Sequence, residues 1–106
     1  MKINREITRR AIKKAKKSTC HTKVSALAFN GKGELVMKAV NRPRFSKEGG
    51  GVHAEMRILL KRPKIKIIVL CRTNNQGKIM PLDPCAACAA KARELGVKII
   101  PVRNWA

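Results

Sequence analysis

The sequence predicts an α/β protein, a three-layer α/β/α sandwich whose central sheet of about four to five strands carries helices on both faces. Two observations predict this fold class. The hydrophobic patterns along the chain follow the order helix, strand, strand, helix, strand, helix, strand, which is typical of an α/β sandwich. The first predicted strand is also apolar on both sides, as expected of a strand between two helical layers.

The first part of the chain predicts one helix and a hairpin. Apolar residues recur with helical spacing over residues 3–17, at Ile3, Ile7, Ala11, Ile12 and Ala15, so we expect a helix with one buried stripe. Residues 24–30 and 34–40 are predicted strands. The segment Asn30-Gly31-Lys32-Gly33 favours a tight turn between them, because Asn and Gly tolerate positive φ.

The remainder predicts two further helices that alternate with strands. Gly96 suits a left-handed helix stop, and Pro101 indicates that the last strand lies at an edge or frays. Residues 65–72 are almost continuously apolar, which indicates a central strand. The predicted elements are a helix over residues 52–60, a strand over 65–72, a turn over 74–77 with a short return over 78–80, a helix over 85–95 and a strand over 97–102.

The chain is short and strongly basic. Its 106 residues suffice for one domain, residues 1–106, with one core. A net charge of +19, from 25 basic and 6 acidic side chains, destabilises a compact state unless a polyanion is near. Single-stranded nucleic acid is the expected partner, and a chain that is basic only for solubility is the alternative. The predicted nucleic-acid contacts are Arg9, Arg10, Lys13, Lys14, Lys17, Arg42, Arg44 and Lys47.

The cysteines and the apolar segments indicate a reducing compartment. No secretory signal precedes Cys20, Cys71, Cys85 and Cys88, because the N-terminus is polar and basic from Lys2 onward. The longest strongly apolar run, residues 67–71, is far too short to span a membrane. We therefore expect a cytoplasmic protein without a membrane partner, in which Cys71 is a buried small hydrophobe.

Two stretches carry the chemistry. Cys85 and Cys88, in Pro84-Cys85-Ala86-Ala87-Cys88, begin a predicted helix whose aligned amides favour their thiolate forms. His53-Ala54-Glu55 begins another helix. One imidazole and two thiolates leave the fourth tetrahedral position of a zinc ion open for water, and a nearby carboxylate is a general acid/base. A closed site that also uses Cys20 or His21 is the alternative.

The H-x-E and P-C-x-x-C stretches, in this order, are the signature of zinc deaminases that act on nucleobases. With its order of elements, the chain resembles the zinc-dependent cytidine deaminase superfamily, of the CMP/dCMP type, over nearly its whole length. Residues 77–88 look most like small phage and bacterial deaminase-like proteins. The resemblance implies that His53, Cys85 and Cys88 hold Zn²⁺, that Glu55 moves protons, that Asn41 contacts the sugar, and that the backbone around Ala54 contacts the base edge.

The chain departs from this family in two respects. Family members commonly continue past the fourth strand into another strand or helix, whereas this chain stops soon after that strand. The aromatic residues that often sandwich the base are scarce. Phe45 either stacks on an exposed base or packs over the core, and the other candidates are Phe29, Trp105 and His21.

Charge and resemblance together predict a hydrolytic deaminase that converts cytosine to uracil in single-stranded DNA or RNA, where the exposed base need not be unstacked. A salvage enzyme for free cytidine, deoxycytidine or a nucleotide is the first alternative. The others are an adenosine deaminase on RNA and a non-catalytic zinc-containing protein that binds nucleic acid; the presence of Glu55 argues against the last. The small predicted core is compatible with a homo-oligomer.

Overall fold

A five-stranded sheet forms the centre of the structure, and helices pack on both of its faces. The computed structural model describes residues 3–20, 22–43, 51–61 and 64–104. The helices are α1 (Arg5–Ala15), α2 (Ala54–Leu59) and α3 (Ala86–Glu94). The strands are β1 (Lys23–Phe29), β2 (Leu35–Val40), β3 (Arg42–Pro43), β4 (Gly51–Val52), β5 (Ile67–Thr73), β6 (Ile79–Met80) and β7 (Lys98–Pro101).

The apolar strand β5 is central, as its composition predicts. It pairs antiparallel with β1 along one edge, and β1 pairs antiparallel with β2. Along its other edge β5 pairs antiparallel with β6 and parallel with β7. β3 and β4 form a separate ribbon directly before α2. The predicted four to five strands of the central sheet and the order of the helices and strands around it are confirmed, whereas the β3–β4 ribbon was not predicted.

Successive residues of β1 pack on opposite faces of the sheet. Ala26 and Ala28 lie in the hydrophobic cluster that includes residues of α2 and α3. Leu27 and Phe29 lie in the cluster that includes residues of α1. The prediction of helices on both faces is therefore confirmed, and α1 is separated by the sheet from the two helices that carry the predicted metal-binding motifs.

Each helix begins one or two residues later than predicted. In each case the residue directly before the helix, which the prediction includes in it, is the N-cap. Asn4 caps α1, where its Oδ1 accepts a hydrogen bond from the Ile7 amide at 2.8 Å. His53 and Cys85 are the N-cap residues of α2 and α3, with extended backbone. At the other end of α3, Gly96 has a φ of +70°, which is the left-handed stop expected from the sequence.

The predicted turn between β1 and β2 is confirmed. The Asn30 side-chain oxygen accepts hydrogen bonds from the amides of Lys32 and Glu34, at 2.9 and 3.0 Å. Gly33 adopts a φ of +82°, a conformation that is strained for residues with a Cβ atom. The local chemistry of the turn thus fixes which residues of the two strands face each other.

The longest apolar run of the sequence, residues 67–71, forms most of the central strand β5. Cys71, at the end of that run, is fully buried in the cluster beneath α1, and burial raises the pKa of its thiol to about 11. It is thus a neutral core side chain, as predicted. In the ranges that the structure describes, no helix is both long enough and apolar enough to cross a membrane.

Candidate metal centre and substrate cavity

The starts of α2 and α3 bring the two predicted motifs together. The helices are in contact with each other, and Ala54, Ile58 and Ala92 are buried in their shared cluster. His53 and Cys85 occupy the N-cap positions of α2 and α3. The N-terminal ends of the two helices lie close together, so these two side chains meet there. Local capping therefore places an imidazole and a thiol side by side, although 32 residues separate them in the sequence.

The donor atoms of four side chains converge within 4.8 Å of one another, those of His53, Glu55, Cys85 and Cys88. His53 Nδ1 lies 3.3 Å from the Cys88 sulfur, and the Cys85 and Cys88 sulfurs are 3.1 Å apart. One imidazole nitrogen and two thiol sulfurs at contact distance match the ligand preference of zinc. Cys20 is not part of this group, so it does not join the two cysteines in a closed site, and His21 lies outside the described residues.

The two thiols differ in their surroundings. The Cys88 amide donates a hydrogen bond to the Cys85 sulfur at 3.3 Å, which is the helix-start contact that the sequence predicts. Burial raises the pKa of Cys88, and Glu55 and Cys85 raise it further. At Cys88, burial and these neighbours therefore outweigh the preference for the thiolate that the helix start is expected to supply. A cation bound at the site would reverse this balance, since a coordinated thiol loses its proton.

Glu55 is a buried carboxylate, with 3% of its surface exposed. One of its oxygens lies 3.5 Å from His53 Nδ1. Burying a carboxylate is costly unless a cation or a hydrogen-bond donor compensates it. The position of Glu55 beside three metal-ligand atoms supplies a reason for that burial, because a metal ion would provide the compensating charge.

A cavity of about 240 Å³ opens beside these groups. Its walls combine apolar side chains with hydrogen-bonding groups, as is usual for a small-molecule site. Thr22, Val24, Leu82 and Asp83 were not predicted from the sequence. Asp83 is one of 6 acidic residues in the whole chain and lies directly before Pro84-Cys85, which is a signal that could have identified it. The lining residues are Thr22, Val24, Asn41, His53, Ala54, Glu55, Leu82, Asp83 and Cys85.

The sequence matches the family described as the cytidine and deoxycytidylate deaminase zinc-binding region over residues 1–103. The chain belongs to this family. The superfamily resemblance is confirmed, and the cofactor is Zn²⁺, which the converging donor atoms fit. No curated protein is significantly similar in sequence to this family member.

Solved structures of cytidine deaminases have the same fold. The enzyme from Mycobacterium leprae superposes with a TM-score of 0.65 at 19% identity, over 92% of this chain and 87% of its own. The enzyme from Mycobacterium tuberculosis superposes with a TM-score of 0.56 at 19% identity, over 87% of this chain and 77% of its own. The predicted cytidine-deaminase-like sandwich is therefore confirmed for this family member.

In this family member, Asn41 lines the cavity with its side chain already hydrogen-bonded inside the protein. Its Oδ1 accepts from the Ser18 hydroxyl at 2.7 Å and from the Val24 amide at 2.9 Å. Its Nδ2 donates to the Thr22 carbonyl at 2.6 Å. Asn41 therefore joins the segment after α1 to the end of β2, next to the cavity.

Asn41→Ala is expected to destabilise the protein by about 2–3 kcal/mol, because three hydrogen bonds are lost and the buried partners stay unsatisfied. For a domain of this size the melting temperature should fall by roughly 10 °C or more. Thermal unfolding followed by circular dichroism measures this, with Asn75→Ala, at an exposed turn position, as the matched control. Equal melting temperatures for the two variants would contradict this account of Asn41.

Phe29 does not line the cavity. It is 4% exposed and lies in the cluster beneath α1, on the opposite face of the sheet from α2 and α3. Its candidacy as an aromatic partner of the base is therefore wrong, because its position in β1 directs it away from the site. Phe45 and Trp105, the other aromatic candidates, lie outside the described residues.

The predicted nucleic-acid contacts fall in different places. Arg10, Lys13, Lys14 and Lys17 line a groove between α1 and β2. Arg9 lies elsewhere on α1, beside Gly77, and is ion-paired with Glu6. Arg42 belongs to β3, but its side chain is outside the described part of the chain, as are Arg44 and Lys47 entirely.

Proposed function

We propose that the protein is a zinc-dependent hydrolase that deaminates cytosine to uracil in single-stranded nucleic acid. The reaction is supported by the convergence of His53, Cys85, Cys88 and the buried Glu55 at the wall of one cavity. Three neutral or thiolate donors with a carboxylate beside them suit a catalytic zinc that keeps one position for water.

In this mechanism His53, Cys85 and Cys88 would hold Zn²⁺, which when bound makes water a stronger acid and nucleophile. Glu55 accepts a proton from the water that adds to the amino-bearing carbon of cytosine. It delivers this proton to the ring nitrogen. It then takes the proton of the hydroxyl that has been added to the carbon and passes it to the departing amine, so that the carbonyl forms as the C–N bond breaks. One water is consumed, one ammonia leaves, and Glu55 returns to its initial protonation state. Its burial keeps these protons from exchanging with bulk water.

The substrate class is supported by charge. The net charge of +19 exceeds what an uncharged nucleoside needs, whereas a phosphate backbone converts it into affinity. The groove lined by α1 cations adds a concentrated positive surface on the described part of the protein. A single strand also presents its bases without the unstacking cost of a duplex.

Free cytidine or deoxycytidine is the second candidate substrate. The structural neighbours are named cytidine deaminases, and a cavity of about 240 Å³ has room for a small ligand. This candidate gives no role to the excess positive charge. We therefore place it second.

The deciding experiment is conversion of a single cytosine in a single-stranded DNA oligonucleotide, with zinc at low salt, read by sequencing. Free deoxycytidine is assayed in parallel. We expect conversion in the oligonucleotide that declines as salt rises, because counterions compete for the cationic surface. Conversion of the free nucleoside alone would replace the proposed substrate with the second candidate. Inactivity on cytosine together with adenosine conversion in RNA would overturn the assigned base, and strand binding without any turnover would overturn the assigned reaction.

A further inference from the structure

One side of α1 carries a stripe of positive charge. Arg10, Lys13 and Lys14 follow the i, i+3, i+4 spacing that places side chains on one helical face, and Lys17 lies two residues after the end of α1. Within α1 the stripe extends about 6 Å along the axis, at about 1.5 Å per residue, and Lys17 continues it past the helix. The adjoining face, with Ala11, Ile12 and Ala15, is buried against the sheet. The cations therefore stand beside the line where α1 meets the sheet.

Strand β2 supplies the opposite wall of this feature. Lys38 of β2 pairs with Leu27 of β1, and cross-strand partners project from the same face of a sheet. Leu27 packs beneath α1, so Lys38 also lies on the α1 face. The result is the α1/β2 groove, a cavity of about 410 Å³ with cations on both walls and Leu27 and Leu35 between them.

The charges of the α1/β2 groove repel one another strongly enough to affect Lys14. Burial lowers the pKa of Lys14, and the positive charges of Lys17, Lys38 and Arg57 lower it further. The described residues that line the groove include no acid, and Glu6 reaches only Arg10 of this set, at 3.2 Å. Cations that crowd together without acidic partners are stabilised by a bound anion.

Among the described residues, the α1/β2 groove shares no lining residue with the metal-site cavity, which lies on the other face of the sheet, and the segment after α1 links the two. Lys17 precedes Ser18, whose hydroxyl donates a hydrogen bond to Asn41 Oδ1 at 2.7 Å, and Asn41 lines the cavity. Arg57, on α2 two residues after Glu55, donates a hydrogen bond to the Val40 carbonyl at 2.7 Å. A strand that binds in the groove must therefore pass around the edge strand β2 to place a base in the cavity.

We infer that the α1/β2 groove binds consecutive backbone phosphates of the nucleic-acid strand, with Lys14 and Lys38 contacting the strand from opposite walls. This inference rests on the proposed function, since the strand in the groove is the one whose cytosine enters the cavity. With Lys17 included, the stripe is long enough to meet more than one phosphate of a strand. A recessed site with cations on both walls suits a linear polyanion better than a flat anionic membrane. It adds Lys38 to the phosphate-binding surface and leaves Arg9 out.

The test compares two variants of equal net charge. Lys14→Gln/Lys38→Gln removes one cation from each wall, and Lys32→Gln/Lys98→Gln removes two exposed cations, one in the turn before β2 and one in β7. Binding of a fluorescein-labelled single-stranded DNA 15-mer is followed by fluorescence anisotropy across a salt series. A charge-preserving Lys14→Arg/Lys38→Arg variant separates loss of charge from loss of fold.

We expect the groove variant to bind on the order of twentyfold more weakly near 0.1 M salt. The slope of log K against log salt should become shallower by about 1.4, since each single-strand phosphate contact contributes about 0.7. The Arg variant should bind as the unmodified protein does. Equal weakening in both Gln variants, or a groove variant whose slope is unchanged, would overturn the inference. The inference would also be overturned if the groove variant still bound the DNA strand but, unlike the unmodified protein, no longer bound phosphatidylserine vesicles.

Because anisotropy measures binding without turnover, this test is independent of the deamination assay. If the groove variant binds the strand normally and the unmodified protein converts cytosine, the phosphate-binding role of the groove is rejected and the proposed function is kept. If the strand binds through the groove but no cytosine is converted, the phosphate-binding groove is supported and the proposed function is rejected.

Discussion

Glu55→Gln should lower kcat for cytosine deamination by about 10³-fold while zinc remains bound. Gln has nearly the same size as Glu and keeps hydrogen-bonding atoms, but it cannot accept a proton from water and pass it to the substrate. General acid–base groups typically contribute 10²- to 10⁴-fold to a rate, and Glu55 would serve both the attack and the departure of ammonia. Steady-state kinetics and metal analysis of the same preparation measure the two quantities.

The matched control for Glu55→Gln is Glu94→Gln. Glu94 is an exposed residue of α3 whose carboxylate lies 3.4 Å from the Lys91 ammonium, so the control makes the same chemical change away from the cavity. We expect it to retain full activity, because exposed ion pairs contribute little to stability. If Glu55→Gln kept more than a tenth of the normal kcat, Glu55 would have no proton-transfer role in the mechanism.

The convergence of the proposed metal-binding residues could be predicted because each of them lies at the start of a helix, which depends on local structure. His53 and Cys85 are recognisable as helix-start residues, and Cys88 follows Cys85 by one helical turn. Local rules of this kind hold whatever the rest of the chain does. The pKa of Cys88 could not be predicted in the same way, because it depends on burial by residues distant in sequence.

The face of the sheet that carries the site could not be predicted. Period-two alternation separates Ala26 and Ala28 from Leu27 and Phe29, and the structure confirms that separation. Alternation does not show which set faces α2 and α3, since both sets are apolar. Phe29 thus remained a candidate for contact with the base until the side of the sheet covered by α1 was known.

The function of Asn41 within the fold also depends on contacts that sequence patterns do not reveal. A turn residue after a strand is expected to bond locally, yet Asn41 bonds to Ser18, Thr22 and Val24, which lie 17 to 23 positions away. Lys38 is a similar case, because an alternating polar residue on a strand reads as solvated. Only the pairing of β2 with β1 places it opposite the cations of α1.

Cys88→Ser should abolish the stabilisation of the protein by zinc. Cys88 is almost fully buried, with 1% of its surface exposed, and its sulfur contacts both His53 and Cys85, so it would occupy the centre of the ligand set. A serine hydroxyl is a poor zinc ligand because it stays protonated near neutral pH. For the unmodified protein, free zinc at a hundred times its dissociation constant should add about 2.7 kcal/mol to the free energy of unfolding. That increment corresponds to a rise of roughly 10–20 °C in the melting temperature of a domain of this size.

The measurement is therefore the difference in melting temperature between zinc-loaded and chelator-treated protein, rather than either temperature alone. Using the difference removes the effect of the substitution on the metal-free fold, where replacing a buried thiol with a hydroxyl has its own cost. Cys20→Ser is the matched control, because Cys20 lies outside the converging group, and it should show the full zinc-dependent difference. A Cys88→Ser variant that still gained 10 °C on addition of zinc would show that the metal binds through other residues, and the mechanism assigned to Glu55 would then lose its metal.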